Sequence, residues 1–142
     1  MRDTRDLKRV DISKVESYLK AFYDVDVIYG KKEENAYWSC IQQVTINNCQ
    51  NLKSRLHTLL HEAGHVIIRN DGNENFKKNF PFMKYGGGAK RGDFNHRLDV
   101  LREEIMAWDE GEKLAQFLGI KLDYNWWLRH RNEALKTYIE WM

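Results

Sequence analysis

Apolar residues in the first third of the chain follow helical spacing and then strand spacing. Asp11 is a suitable N-cap and precedes apolar positions that recur every three or four residues, which predicts a helix over residues 11–22. The β-branched stretch VDVIYG at 25–30 predicts a strand that ends at glycine. The segment YWSCIQQVTIN at 37–47 predicts a second strand region.

Two further periodic segments predict long helices. Leucine-rich spacing begins at Leu52, and this helix should end at Asn70-Asp71-Gly72, where glycine can adopt the left-handed cap conformation. An apolar pattern returns over 98–118, and Asp123 is placed to cap a final helix. The predicted apolar face of the 98–118 helix consists of Leu98, Leu101, Ile105 and Trp108.

The segment between these helices, 71–97, has a different character. It holds the only proline, three consecutive glycines and several basic residues, and no periodicity persists along it. Loops of this length within a compact domain are usually functional or disordered. We therefore expect a long mobile loop inside a single domain that spans residues 1–142.

Composition narrows the class of protein without identifying it. The 23 basic and 21 acidic side chains nearly balance, so no strong field favours nucleic acid or a membrane surface. The N-terminal stretch MRDTRDLKRVDISK has no apolar core of the kind that a secretory signal needs, and no apolar run approaches membrane-spanning length. We expect a cytoplasmic protein without a membrane partner, in which Cys40 and Cys49 are reduced.

The stretch LLHEAGHVI carries the candidate chemistry. Residues four apart lie on one face of a helix, so His61 and His65 can direct their nitrogens at one metal ion. Glu62 is rotated by about 100° from His61, so it can approach a water at the metal and accept its proton. The pair Ala63-Gly64 is small and should leave the metal face uncrowded.

Another histidine, His57, precedes His61 by four residues and raises the question of a third histidine ligand. Its Cα should lie about 12 Å along the helix axis from that of His65, since each residue rises 1.5 Å. We therefore expect His57 either near the ligands without touching the metal or at the surface.

A catalytic zinc site usually takes three protein ligands, so one more is needed. Asp71 stands six residues beyond His65, but the apolar run around Ile68 favours continued helix over the sharp turn that this ligand would require. Glu103 and Glu104 open an otherwise amphipathic segment, and one of them should face the interior of the protein. The acidic pair is therefore the better source of the third ligand.

The combination of LHTLLHEAGHVI with EEIMAW resembles the small gluzincins, particularly the ImmA/IrrE-like and phage-encoded metallopeptidases. The resemblance implies that Glu104, three positions before Ala107, completes a site for one catalytic Zn2+ together with His61 and His65. Glu104 also lies beside the predicted apolar face, whereas Glu103 is turned about 100° away and should lie nearer solvent.

The same resemblance implies an α+β, zincin-like fold of the minimal gluzincin type. A small sheet of about three strands would pack on the motif helix, with N-terminal, ligand-bearing and C-terminal helices around it. The implied activity is zinc-dependent hydrolysis of a protein or peptide substrate by a monomer, with Glu62 as general base, in the cytoplasm of a bacterium or of a phage-infected cell. Candidate stabilisers of the transition state are His96, Tyr85 and Arg97.

Two other functions remain open at the level of sequence. The protein could be a zinc-binding regulatory module with latent activity, although an intact Glu62 would not be required in a module that only binds metal. It could also cleave proteins associated with nucleic acid, with the basic residues of 71–97 holding the nucleic acid. The near-neutral overall charge argues against that second alternative.

Overall fold

The computed structural model describes residues 4–70, 73–83 and 94–141. Within these ranges the chain forms five α-helices and three strands, together with a short 3-10 helix at Ser39–Ile41. The elements in chain order are α1 (Thr4–Tyr23), β1 (Asp26–Gly30), β2 (Ala36–Trp38), β3 (Gln43–Asn47), α2 (Leu52–Asn70), α3 (Asn73–Asn79), α4 (Phe94–Phe117) and α5 (Tyr124–Trp141). The predicted α+β class and the predicted three-stranded sheet are confirmed.

The sheet has the order β1-β3-β2, with β3 parallel to β1 and antiparallel to β2. The predicted strand region 37–47 is thus two strands separated by the 3-10 turn. Gln42 ends that turn with a φ of 52°, in the left-handed region, and the Tyr37 hydroxyl donates to Gln42 Oε1 at 2.7 Å. Since β3 pairs on both sides, β2 presents one edge that no strand of the described ranges covers.

Helix α2 lies at the centre of the molecule, packed against α1, the sheet and α4. Its inner leucines are buried, and the inner positions of α1 and β3 complete one apolar core. Burial of this aliphatic and aromatic surface is the main favourable contribution to folding. The largest fully buried side chains include Trp127, Leu19, Ile46, Leu59 and Leu60. No helix in the described ranges is both long enough and apolar enough to cross a bilayer.

Helices α2 and α4 approach each other so closely that their backbones touch at two glycines. A Cβ atom on Gly64 would collide with the carbonyl oxygen of Ala107. A Cβ atom on Gly111 would lie 2.6 Å from the carbonyl oxygen of Leu60. Gly64 therefore serves mainly to admit the α4 backbone.

The face of α4 that was predicted to point inward does not do so along its whole length. Leu98 and Ile105 are 36% and 40% exposed, whereas the face toward α2 is polar or small in most positions. Large aliphatic side chains on that face would hold the two helices apart and would exclude the polar groups that α4 brings to the interior. The residues of α4 that are buried are His96, Asp99, Glu103, Glu104, Ala107, Trp108, Gly111, Leu114 and Ala115.

The segment 71–97 differs from the prediction of a long loop. Asn73–Asn79 is helical, Phe76 and Phe80 are buried, and α4 begins at Phe94. Apolar contacts of the two phenylalanines, spaced one helical turn apart, explain this short helix. Residues 71–72 and 84–93 lie outside the described ranges, and the predicted mobility of the segment remains a prediction.

The predicted ends of the other helices agree with the structure to within a few residues, except at the N-terminus. Helix α1 extends back to Thr4, beyond the predicted start at Asp11. Asp123 caps α5 as predicted, because Trp126 N donates to its Oδ1 at 3.3 Å.

The close crossing of α2 and α4 predicts that alanine at Gly64 destabilises the protein. Alanine favours helix over glycine by about 1 kcal/mol, so intrinsic propensity alone would stabilise the variant. Because the new methyl group would meet the α4 backbone, we expect Gly64→Ala to lower the free energy of unfolding by about 1–3 kcal/mol. Denaturant unfolding followed by circular dichroism measures this change. A variant more stable than the wild type would show that the helices do not touch here.

Candidate metal centre

Helix α2 directs His61 and His65 toward α4, as their four-residue spacing predicted. The potential ligand atoms of His61, Glu62 and His65 all lie within 4.8 Å of one another. His61 and Glu62 are buried, and the side chain of His65 is 12% exposed. This buried group could hold a metal ion.

Glu104 reaches the same point from α4. Its Oε1 lies 3.2 Å from His61 Nε2, and its Oε2 lies 2.7 Å from His65 Nε2. Ligand atoms on a tetrahedral zinc ion are roughly 3.4 Å apart, given metal–ligand distances near 2.1 Å. The donor types of the three side chains suit a divalent ion, but the 2.7 Å contact is a direct hydrogen-bond distance, so the side chains would have to separate slightly to admit one.

Glu62 lies beside these donors. Its Oε1 is 3.9 Å from His61 Nε2, a longer separation than either contact of Glu104. Burial raises the pKa of Glu62, and the nearby charges of His65 and His61 oppose that rise only in part. Glu62 thus belongs, with His61 and His65, to the group whose ligand atoms lie within 4.8 Å of one another.

The charges of His65 and Glu104 depend on each other. Burial alone would lower the pKa of His65, but the charge of Glu104 and hydrogen bonds to Glu103 and Glu104 outweigh it and hold that pKa well above its usual value. Burial would likewise raise the pKa of Glu104, but the charge of His65 and hydrogen bonds from both imidazoles lower it. The cost of burying the carboxylate is thus offset by its contacts with the two imidazoles.

The prediction that Glu103 lies near solvent is wrong. Glu103 is 3% exposed, which is less than Glu104 at 8%. Its Oε2 lies 2.6 Å from His65 Nδ1, and Arg69 binds both of its oxygens, with Nε at 3.0 Å and Nη2 at 2.8 Å. The rotation of α4 that exposes Ile105 brings both glutamates to the interior, one to each nitrogen of His65.

His57 is neither a ligand nor a surface residue. It is 2% exposed, and its ring centroid lies 4.4 Å from that of Trp126 and 5.2 Å from that of Trp127. Burial lowers its pKa to about 3, so it is neutral at physiological pH. The expectation of a surface position is therefore wrong, and His57 belongs to the aromatic packing between α2 and α5.

A cavity of about 560 Å³ opens over the candidate ligands. Its walls come from β2 and from helices α2, α4 and α5, and Met83 also lines it. His96 reaches this cavity, and its Nδ1 lies 3.3 Å from the carbonyl oxygen of Phe82. Arg97 is not among the lining residues, and Tyr85 and Asp71 lie outside the described ranges.

Helix α5 contributes residues that were not among the candidates from the sequence. His130, Ala134 and Tyr138 line the cavity, and burial together with the nearby charge of Glu104 raises the pKa of the Tyr138 hydroxyl. These three residues follow one another at intervals of four, so they lie on one face of a helix. This spacing was the signal in the sequence that could have identified the two polar residues, His130 and Tyr138, as candidates. The same spacing continues the row of His61 and His65 to Arg69, which also lines the cavity.

Comparisons of this chain with protein-family models, with curated proteins and with solved structures found no match. The resemblance to gluzincins therefore rests on the motif residues.

The contacts of Glu104 predict which carboxylate matters most for metal binding. Glu104→Ala removes the donor between the two imidazoles, so we expect the affinity for a divalent ion to fall by orders of magnitude. Titration of metal-free protein with zinc against a chelating indicator measures the change. Asp109→Ala removes an exposed carboxylate from the same helix and should bind zinc as the wild type does. Equal affinities in the two variants would contradict the assignment of Glu104.

Proposed function

We propose that this protein is a zinc-dependent metallopeptidase with a zincin-like fold of the minimal gluzincin type. One observation carries the proposal: His61, His65 and Glu104 converge from two helices on one point, with Glu62 beside it and a cavity above. Structural zinc sites are usually closed by four protein ligands, whereas catalytic sites keep one position open. Three donors facing a cavity fit the catalytic kind.

The donor chemistry supports zinc. Two histidines and one glutamate form one of the ligand sets of catalytic zinc, and His61, His65 and Glu104 would hold the ion here. When bound, zinc would polarise the substrate carbonyl and lower the pKa of a coordinated water toward neutrality.

Glu62 supplies the general base in this proposal. Its carboxylate is buried and borders the cavity beside the ligands, so it can accept a proton from the attacking water. It can then return that proton to the amine that leaves when the peptide bond breaks. Burial raises the pKa of Glu62, which makes its carboxylate a stronger base toward the water than an exposed carboxylate would be.

The edge of β2 that no strand of the described residues covers offers a place for an extended substrate. Asn35, Ala36 and Tyr37 line the cavity, whereas β3 already pairs with a neighbour on each side. A peptide that adds to this edge would place its backbone over the ligands through main-chain hydrogen bonds.

The developing oxyanion needs a donor besides the metal. Tyr138 and His130 line the cavity from α5 and are only partly buried, so both can reach a substrate. His96 lines the cavity too, but it is completely buried and lies beside the carbonyl of Phe82. We therefore place Tyr138 and His130 ahead of His96 in this role.

The first test is the metal itself. Purified protein should hold close to one zinc ion per chain, and His61→Ala or His65→Ala should abolish tight binding because each removes one of three ligands. Elemental analysis after dialysis measures the stoichiometry. His57→Gln, which changes a histidine of the same helix outside the site, should retain the metal. A wild-type protein that stays free of zinc in excess zinc would refute the proposed function.

The second test concerns Glu62. Glu62→Gln keeps the shape of the side chain but removes the base, so we expect zinc to remain bound while peptidase activity falls by about 100-fold or more. Digestion of a peptide library by zinc-loaded protein, read by mass spectrometry, measures cleavage across many sequences at once, so no single substrate has to be chosen. Glu110→Gln on α4 should cleave as the wild type does. A fully active Glu62→Gln variant would mean that another group activates the water.

A further inference from the structure

Glu103 and Arg69 form a buried ion pair with a direct connection to a candidate ligand. Arg69 donates hydrogen bonds to both oxygens of Glu103, at 3.0 Å and 2.8 Å, in a bidentate contact. The same carboxylate lies 2.6 Å from His65 Nδ1. The side chain of Glu103 is 4% exposed and that of Arg69 is 25% exposed, so little water competes for these contacts.

We propose that Glu103 and Arg69 are positioning residues for the metal ligand His65. The carboxylate accepts the proton of His65 Nδ1, which would leave Nε2, the nitrogen that faces Glu104 and the cavity, available to a metal ion. A histidine that binds metal through one nitrogen commonly donates its other N–H to a carboxylate, which orients the ring and increases its basicity. This inference rests on the proposed metal site.

The two adjacent glutamates then have separate roles. Glu104 Oε2 lies 2.7 Å from His65 Nε2 and shares the metal side of the ring, whereas Glu103 holds the opposite nitrogen. Arg69 compensates the charge of Glu103, so that carboxylate is not free to become an additional ligand. The two hydrogen bonds from Arg69 also fix the plane of the Glu103 carboxylate. That carboxylate in turn orients the imidazole of His65.

Helix α3 supports the pair from outside. The guanidinium of Arg69 lies 4.8 Å from the ring centroid of Phe76, which is 5% exposed. This cation–π contact restrains Arg69 on the face that does not touch Glu103. The segment predicted to be a loop thus contributes to the order of the metal site.

A second arginine–carboxylate pair on α4 provides a matched control. Arg102 Nη1 lies 3.1 Å from Asp99 Oδ1, Asp99 is buried, and the guanidinium of Arg102 lies 5.2 Å from the ring centroid of Phe80. This pair also joins an arginine to a buried carboxylate one helical turn away, although through a single contact by an exposed arginine, and its hydrogen bonds run to Phe82 and Asn79 and not to a candidate ligand. Changes to it report the cost of losing an arginine partner of a buried carboxylate without touching a ligand.

The experiment is a double-mutant cycle on zinc affinity. The dissociation constant for zinc is measured by chelator competition for the wild type, Glu103→Gln, Arg69→Met and the double variant. Asp99→Asn and Arg102→Met serve as controls, and circular dichroism of each metal-free protein verifies folding. We expect each single change in the Glu103 pair to weaken zinc binding by about 10- to 100-fold. The double variant should be little weaker than Glu103→Gln, because Arg69 acts through Glu103.

A spectroscopic measurement separates positioning from general stability. In zinc-loaded wild type, the nitrogen-resolved NMR spectrum of the histidine rings should show a slowly exchanging proton on His65 Nδ1. That signal should exchange faster or disappear in Glu103→Gln and persist in Asp99→Asn.

Two results would overturn the inference while leaving the proposed function intact. One is wild-type zinc affinity in a folded Glu103→Gln variant, and the other is an equal loss of affinity in Asp99→Asn. Failure of the wild type itself to bind zinc would instead remove the proposed function and this inference together.

Discussion

The close crossing of α2 and α4 is the constraint on which the candidate site depends. Gly64 stands one residue before His65, and Ala107 stands three residues after Glu104, so the point of backbone contact lies directly beside the proposed ligands. A side chain at this point would move α4 outward and take its glutamates away from the imidazoles. The contact at Gly111 and Leu60 repeats the arrangement one turn further along and fixes the direction of the crossing.

Bringing the helices together also concentrates negative charge in the interior. Glu62, Glu103 and Glu104 are all buried, and buried carboxylates are costly unless cations meet them. Arg69 compensates Glu103, and contacts with Glu104 and Glu103 raise the pKa of His65 against the opposing effect of burial. A divalent ion would compensate Glu62 and Glu104 together and leave both imidazoles neutral. The charge distribution therefore agrees with the donor geometry.

Local features of the site could be predicted from the sequence, and the rotation of α4 could not. The spacing of His61 and His65 places them on one face of any helix, so their convergence requires no tertiary information. Which glutamate of α4 lies inside depends on the face that meets α2. The apolar periodicity suggested the face of Leu98 and Ile105, but a stripe of small residues decides the contact. That stripe, Ala107, Gly111 and Ala115 at four-residue spacing, was visible in the sequence and predicts close helix packing.

The two histidines are held by different physical means. His65 is oriented by a carboxylate at Nδ1, whereas His61 Nδ1 is buried without a hydrogen-bond partner among the described residues. Its ring instead stacks on Trp108, with centroids 4.2 Å apart and planes 24° apart, and Trp108 packs against Trp127 of α5 at 4.9 Å. The orientation of His61 therefore depends on the aromatic core between α4 and α5, and that of His65 on an ion pair. Substitution of a core residue of α5 such as Trp127 should therefore disturb the orientation of His61, even though Trp127 does not contact a metal ligand by hydrogen bonding.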